Sequence, residues 1–281
     1  MRRGGGTLGQ MPYTARPFVA LEASLAQLRE LAPNVAVLPW GATEAHNLHL
    51  PHGTDVIEGT KVSEAAVERA NAVGARCILL PTVPFGNNNT QLNQVATITL
   101  RTRTQLAVLM DVAESLVRQK IDRLVILNFH GANEFKPLIR DVMLDLPIFI
   151  VQVQGFQLAP AAKSVISPAG KGGDHADEWE TSVMLHLVPE LVADLATAGD
   201  GAVTPSALPK LTGTPGVWAS RHWPSLTRDT GAGDPRQATA EKGRHLFEAT
   251  VESLVPVLVE LSAAREGQFP FVIDRTGFGQ T

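Results

Sequence analysis

Short apolar runs alternate with longer amphipathic segments along this chain, and that alternation limits the folds open to it. The runs predict strands at residues 35–39, 77–83, 124–129 and 148–153. Because each run is almost entirely apolar, it suits a strand that is covered on both faces, as in a parallel sheet built from βα units. We therefore predict an α/β fold with three αβα layers and a mostly parallel central sheet.

The longer segments carry apolar residues three and four positions apart, which is the helical period. They predict helices at residues 60–72, 102–119, 134–144, 176–191 and 238–263. Residues 193–235 are instead rich in Gly, Pro, Ser and Thr and show no period. We interpret this stretch as an irregular excursion within one domain that spans residues 1–281, rather than as a second domain.

The composition is that of an ordinary globular protein and excludes several classes. Of 281 residues, 44% are hydrophobic and 19% are charged, and the formal net charge is -4, which disfavours a nucleic-acid binder. No apolar run reaches the length of a membrane span, and the first residues lack the apolar region of a signal peptide. We expect a cytoplasmic protein with a small-molecule substrate and no nucleic-acid or membrane partner. Cys77 lies in an apolar run and is predicted to be a core residue.

The loop after the first predicted strand combines carboxylate and imidazole groups. Glu44 and His46 are two residues apart, so in extended chain they project to the same side, and the turn through Gly53 can bring Asp55 back to them. Such oxygen and nitrogen donors suit a divalent transition metal. The alternative is a solvated surface loop that is rich in histidine.

A second histidine follows the third predicted strand. His130 stands at the strand end, and Gly131 allows a sharp turn into the next helix. Because ligands of open α/β sheets bind at the carboxyl ends of the strands, His130 is expected to face the loop that carries Glu44 and His46. Donors from two strand ends favour the metal-site interpretation over the surface loop.

A third group of polar residues precedes and enters the fourth predicted helix. Glu180 falls on the apolar face of that helix, where an unpaired carboxylate costs several kcal/mol. It therefore needs a metal, a hydrogen-bond network or a structural ion pair as its partner. Asp174 and His175 stand at the start of the helix, where they suit either acid/base catalysis or an N-terminal cap.

Other catalytic signatures are missing from the sequence. It contains no Gly-x-Ser-x-Gly, no Walker loop and no Gly-x-Gly-x-x-Gly after a strand, which disfavours a serine hydrolase and nucleotide sites. Asparagine and glutamine cluster in residues 87–94, after the second predicted strand. Their amides suit a substrate with hydroxyl or carbonyl groups, although a plain turn explains them equally well.

The motifs, taken in order, resemble the creatininase (creatinine amidohydrolase) family from about residue 34 to 260. The resemblance rests on four segments, namely residues 41–46 with Asp55, residues 128–133, His175 with residues 180–185, and residues 238–243. It implies a single α/β domain with a dinuclear metal site and assembly into a homo-oligomer, a hexamer in this family.

The resemblance also implies roles for individual residues. Glu44 and His46 would each bind one metal ion, Asp55 would bridge both ions, and His130 would complete the first site. His175 and Asp174 match the acid/base positions. The implied cofactors are two divalent ions, with Zn as the first choice and Mn or Fe as the alternatives, because the ligands include no thiolate.

The chain departs from creatininase itself at two places. The family enzyme has a Tyr-Glu pair where this chain has Gly131 and Ala132, so one metal ligand is missing, and Glu180 is the carboxylate expected to replace it. Where creatininase has a tryptophan, this chain has Lys171. We therefore expect a substrate other than creatinine, one that is polar or anionic.

The predicted reaction is metal-assisted hydrolysis of a carbonyl or amide group, such as a cyclic amide or a formamide. In it, the ions lower the pKa of a water and polarise the carbonyl, and His175 or Asp174 moves protons to the leaving group. One alternative is ring opening or isomerisation of a keto-polyol at the same metals. Another is a non-catalytic binding protein on a degenerate scaffold.

Overall fold

Four parallel strands form the central sheet of the computed structural model, which describes residues 15–168, 170 and 172–265. They are β1 (Val35–Trp40), β2 (Cys77–Leu79), β3 (Arg123–Asn128) and β4 (Phe149–Gln154). The strand order is β2-β1-β3-β4, and β1 pairs with β3 from Val35 opposite Arg123 to Trp40 opposite Asn128. Because β1 and β3 are parallel neighbours at the centre of the sheet, their carboxyl ends lie at the same edge of it.

Helices connect and cover these strands. Their bounds are α1 (Leu25–Leu31), α2 (Thr54–Ala72), α3 (Thr102–Arg118), α4 (Phe135–Asp145), α5 (Glu178–Leu187), α6 (Pro209–Gly213), α7 (Trp223–Leu226) and α8 (Ala240–Ala263). Short 3-10 helices occur at Gly155–Gln157, Pro160–Val165, Pro189–Leu191 and Leu195–Thr197. None of the helices in the described part of the chain is long and apolar enough to cross a membrane.

The core forms two layers, one on each face of the sheet. Alternate side chains of β1 point to opposite faces, so Val35 and Val37 pack with α2 and α8, while Ala36 and Leu38 pack with α3 and α4. All six residues of β1 are buried, as expected for a strand between two helical layers. The three-layer α/β prediction is confirmed, and Cys77 is buried in the core as expected.

Two element boundaries differ from the sequence prediction for identifiable reasons. The second strand was expected to reach residue 83 but ends at Leu79, because Pro81 has no N–H to donate to a continuing ladder. The helix predicted from residue 60 begins at Thr54, whose hydroxyl donates to the carbonyl of Pro51. Asp55 therefore lies in the first turn of α2, where the helix dipole favours a carboxylate, and not in a loop.

The later helices also differ at their ends. The helix predicted for residues 176–191 begins at Glu178 and ends at Leu187, two residues before Pro189, because a helix usually ends before the residue that precedes a proline. Its N-cap is Asp177, whose side chain accepts hydrogen bonds from the backbone N–H groups of Trp179 and Glu180. The alternative in which Asp174 and His175 cap this helix is therefore wrong.

The excursion at 193–235 is largely irregular, as its composition predicts. It contains one short 3-10 helix and the small helices α6 and α7. Residues 202–222 are all exposed, whereas Trp223, Thr227 and residues 230–232 return to buried positions. Its last part thus packs against the body of the protein, close to the loop that follows β1.

Candidate metal centre

The carboxyl ends of β1 and β3 bring the predicted residues together. Glu44 and His46 lie in the loop after β1, and His130 follows β3 two residues beyond its last residue. Asp55 arrives on the first turn of α2, and Glu180 on the first turn of α5. Parallel pairing of β1 and β3 is what aligns the two strand ends, so the fold itself assembles this cluster.

The ligand atoms form three overlapping groups, each with all atoms within 4.8 Å of one another. One group consists of Glu44, Asp55 and His130, and a second consists of His46, Asp55 and Glu180. Asp55 belongs to both of these groups, which is the arrangement that a carboxylate shared by two ions requires. The third group joins Glu44 and His46 to His175.

Ion pairs between imidazoles and carboxylates connect the cluster. Nε2 of His46 lies 2.9 Å from Oδ1 of Asp55. Nδ1 of His130 lies 2.9 Å from Oε1 of Glu44 and 3.1 Å from Oδ2 of Asp55. Nδ1 of His175 lies 3.9 Å from Oε1 of Glu44.

Each imidazole is tied to the backbone through its other nitrogen. Nδ1 of His46 bonds the carbonyl of Glu44 at 3.1 Å, Nε2 of His130 bonds that of Asn87 at 3.2 Å, and Nε2 of His175 bonds that of Ala45 at 2.9 Å. A carbonyl only accepts, so in each ring that nitrogen carries the proton and the other nitrogen is directed at the carboxylates. Histidines that bind metals are held in this way.

The electrostatics reflect mutual pairing in a buried place. Burial lowers the pKa of His46, but the carboxylates of Asp55, Glu180 and Glu44 together outweigh burial and raise that pKa to about 10. Burial raises the pKa of Asp55 and of Glu44, yet the neighbouring histidines lower both below their ordinary values. For Glu180, burial dominates and raises the pKa to about 8.

The donor set fits divalent metal ions. Imidazole nitrogens and carboxylate oxygens converge without any thiolate, and Glu44, His46, Asp55, His130 and His175 are all buried. Buried carboxylates need hydrogen-bond donors or partners of opposite charge, and the opposite charge comes here from protonated imidazoles or directly from a cation. The orientation of the three rings shows which ring nitrogens a cation bound here would meet.

The other predicted positions lie differently. Glu180 is half-buried and accepts a hydrogen bond from the backbone N–H of Ala176 while it faces His46 and Asp55. Ala132 is exposed, and Lys171 lies outside the described residues. Asp174 is not part of the three groups, since its half-exposed carboxylate pairs with Arg221 at 2.6 Å.

Three buried polar residues of this region were not among the predicted site residues, although Gln91 lies in the polar loop that the sequence analysis singled out. Gln91 donates to Oε2 of Glu44 at 2.7 Å and so fixes that carboxylate. His49 bonds Thr181 at 2.8 Å, and burial lowers its pKa to about 4. Glu58 lies one turn beyond Asp55 on α2, and the sequence signal for it, an acidic residue three positions after Asp55, becomes visible only once α2 begins at Thr54.

Most amides of the polar loop after β2 stabilise the loop itself. Asn88 donates to the carbonyls of Thr43 and Ile98, and Asn89 accepts from the hydroxyl of Thr99. The turn interpretation of this loop therefore holds for part of it. Gln91, by contrast, reaches into the metal centre.

A cavity of about 430 Å³ lies between this polar loop and the excursion. Its lining comes from both segments, namely Asn89, Thr90, Leu92, Asn93, Ser220, Arg221, His222 and Pro224. Next to it, the Arg221 guanidinium stacks on the Trp223 ring at 4.5 Å, and Trp223 meets His175 edge-on at 5.3 Å. A chain of contacts thus connects the cavity to the metal centre.

Asn47 fixes the excursion to the loop that carries the ligands. Its backbone N–H donates to the Thr230 hydroxyl at 2.8 Å, and its side chain exchanges two hydrogen bonds with the backbone of Gly199. The Thr230 hydroxyl in turn donates to the carbonyl of Ala45. Asn47 adopts a left-handed conformation with φ of 55°, which asparagine tolerates better than most residues.

Comparison with known proteins agrees with this geometry. The model of the creatininase (creatinine amidohydrolase) family matches residues 22–258. The chain belongs to the creatininase family. A candidate creatinine amidohydrolase from Bacteroides fragilis is 38% identical, with a TM-score of 0.82 over 90% of this chain and 99% of that one.

Two further members give the family context. A mycofactocin precursor peptide peptidase from Mycobacterium ulcerans is 30% identical over 86% of this chain and 90% of its own length. A solved creatininase structure designated Mn has a TM-score of 0.72 at 22% identity, over 88% of this chain and 99% of that one. The creatininase-family chain is thus a metal-binding hydrolase with an amidohydrolase-like activity.

Proposed function

We propose that the chain hydrolyses an amide or related C–N bond, as in a cyclic amide or a formamide, of a small polar substrate with two divalent ions. The observation that carries this proposal is the position of Asp55, which belongs to two groups of candidate ligands at once. Glu44 and His130 complete one position, and His46 and Glu180 complete the other. Two positions that share a carboxylate hold their ions close enough to act on one substrate.

Zinc is the metal that we propose first, with manganese or iron as alternatives, since imidazole and carboxylate ligands suit all three. Ions bound here would polarise the substrate carbonyl and lower the pKa of a water. The protein fixes the direction in which each ring nitrogen points. It also buries the site, which strengthens the attraction between the ions and the carboxylates.

His175 is the residue that we propose for proton transfer. Burial, together with His46, lowers its pKa, so its imidazole is neutral at pH 7. Its Nε2 proton goes to the carbonyl of Ala45, which leaves Nδ1 facing the centre as a proton acceptor. Asp174 directly precedes it but pairs with Arg221, and we propose that it positions this arginine instead.

The cavity between the polar loop and the excursion is the proposed substrate site. It offers the amides of Asn89 and Asn93 and the cation of Arg221, and its volume lies in the range of small-molecule sites. A peptide amide is a second candidate substrate, because the M. ulcerans relative is named a peptide peptidase and because the cavity is lined by exposed residues of two surface segments.

Metal analysis and a substrate screen test the proposal together. Protein purified without chelators should contain two equivalents of metal per chain, and cyclic amides, formamides, short peptides and keto-polyols should be offered to it. Hydrolysis yields products whose summed mass exceeds that of the substrate by one water. Isomerisation without a mass change, or less than one equivalent of metal that Asp55→Ala leaves unaltered, would contradict the proposal.

Arg221→Met tests the substrate site separately from the metals. Loss of one charge-assisted contact, about 1.5–3 kcal/mol, should raise KM by at least tenfold while the metal content stays at the wild-type value. Arg228→Met, an exposed arginine in the same excursion, is the matched control and should leave KM unchanged. An unchanged KM in Arg221→Met places the substrate elsewhere.

We also propose a homo-oligomer, a hexamer as the family resemblance implies. Val95 and Trp218 are 87% and 85% exposed, so both apolar side chains are accessible to a neighbouring subunit. Light scattering after size-exclusion chromatography measures the assembly mass directly, and a monomer at micromolar concentration would contradict the proposal.

A further inference from the structure

Glu58 is a fully buried carboxylic acid to which the reaction above assigns no role. It is 1% exposed, and its Oε1 atom has no hydrogen-bond partner. An unpartnered buried carboxyl group costs several kcal/mol, so a protein rarely keeps one without a reason. The position of Glu58 in the fold supplies that reason.

Glu58 lies on the face of α2 that is directed at the metal centre. It stands one helical turn after Asp55, so the two side chains project from the same face of α2. Helix α5, which carries Glu180, packs against α2. Glu58 thus lies beside the position formed by His46, Asp55 and Glu180.

The charged side chains that shift the pKa of Glu58 are all acidic. Burial raises its pKa well above the ordinary value, and then Glu180, Asp55 and Asp177 raise it further. Among the residues that the structure describes, no cationic side chain lowers this pKa. A carboxylate placed behind other carboxylates is stabilised by a cation that binds among them.

The charge balance of the metal centre also indicates a role for Glu58. Glu44, Asp55 and Glu180 carry three negative charges when ionised, whereas two divalent ions carry four positive charges. Before any metal-bound hydroxide is counted, Glu58 would supply the fourth negative charge. We propose that Glu58 is the fourth carboxylate of the metal centre and strengthens binding of the ion held by His46, Asp55 and Glu180.

This inference rests on the proposed function in one respect, since it requires two metal ions at the cluster. The variant Glu58→Gln tests the inference. Glutamine has the shape of the protonated acid but cannot become negative. Calorimetric titration of metal-free protein with Zn²⁺ should show two binding events in the wild type. In Glu58→Gln, one of them should weaken by 10–100-fold, the range seen when outer partners of metal ligands are removed.

Two further variants make the result specific. Glu68→Gln alters an exposed carboxylate on the same helix and should bind both ions as the wild type does. Glu58→Asp keeps the charge and should recover part of the lost affinity. Thermal unfolding of the metal-free proteins shows whether they fold, and Glu58→Gln is expected to unfold at or above the wild-type temperature because it no longer buries an ionisable group.

The outcomes separate the two proposals. If the wild type binds two ions and Glu58→Gln binds both within twofold of wild-type affinity, Glu58 has no part in the centre and the proposed function stands. If Glu58→Gln and Glu68→Gln weaken binding equally, the effect is a general one of surface charge and the inference is likewise overturned. If the wild type binds less than one ion, both proposals are overturned.

Discussion

Asn in place of Asp55 should remove both metal ions, whereas Gln in place of Glu180 should remove one. Asp55 is the ligand common to two groups, and Glu180 belongs to one of them. Each substitution replaces a carboxylate with an amide of nearly the same size, so the change is electronic rather than steric. The expected stoichiometries are two, one and zero ions for the wild type, Glu180→Gln and Asp55→Asn.

The number of bound ions also determines how much metal should stabilise the folded state. At a free ion concentration 100 times Kd, each bound ion stabilises the folded state by about 2.7 kcal/mol, or about 5 kcal/mol for two independent sites. Glu180→Gln should keep about half of this gain, and Asp55→Asn should keep none. Because Asp55 also pairs with His46 and His130 in the metal-free protein, each variant is compared with its own metal-free form.

Urea unfolding with and without metal measures these differences, and mass spectrometry of the inorganic content gives the stoichiometries. Asp111→Asn, an exposed carboxylate on α3, is the control and should retain the full gain. Two ions bound to Asp55→Asn would refute the shared-ligand arrangement. Loss of both ions from Glu180→Gln would instead show that the two positions fill together.

Two further predictions concern packing and protons. In Gly243→Ala the new methyl would overlap the carbonyl oxygen of Ser182 and push α8 from α5, costing about 1–3 kcal/mol by urea unfolding, whereas Gly213→Ala has open space and should cost nothing. In metal-free protein the pKa of His46 is raised to about 10 and that of Glu180 to about 8, so at pH 7 both hold protons that an ion must displace. Affinity for the ion at His46, Asp55 and Glu180 should therefore rise with pH up to about 8, with release of two protons, and more gently up to about 10. Calorimetry in buffers of different ionisation enthalpy counts these protons, and no proton release would contradict this pairing.

The strands at the centre of the sheet could be predicted because burial on both faces leaves a plain signal. Every residue of β1 and β3 is buried, and an apolar run marks each strand, over residues 35–40 in β1 and residues 124–127 in β3. At the sheet edge the signal misleads, since the apolar run after Cys77 continues beyond the end of β2 while Pro81 interrupts the ladder. The hydrophobicity of a segment does not show which of its backbone N–H groups can donate to a neighbouring strand.

The ligand-bearing loops could also be predicted, because short spacings constrain geometry. Glu44 and His46 are close in sequence, and His130 reaches them through the pairing of β1 with β3. Glu58 could not be found in this way, because its role depends on where α2 begins and on the packing of α5 against α2. Such contacts between distant segments leave no periodic trace in the sequence.

The hydrogen bonds of Asn47 separate the loop that carries the candidate metal ligands from the stretch that lines the cavity. This separation bears on how the substrate specificity of the fold can change. Both ends of the excursion are fixed, at Gly199 and at Thr230, to the loop that carries the ligands. The exposed stretch between them, residues 202–222, contributes Ser220, Arg221 and His222 to the cavity wall. Replacing that stretch with one of different length or sequence would exchange this wall of the proposed substrate site while the candidate metal ligands keep their places.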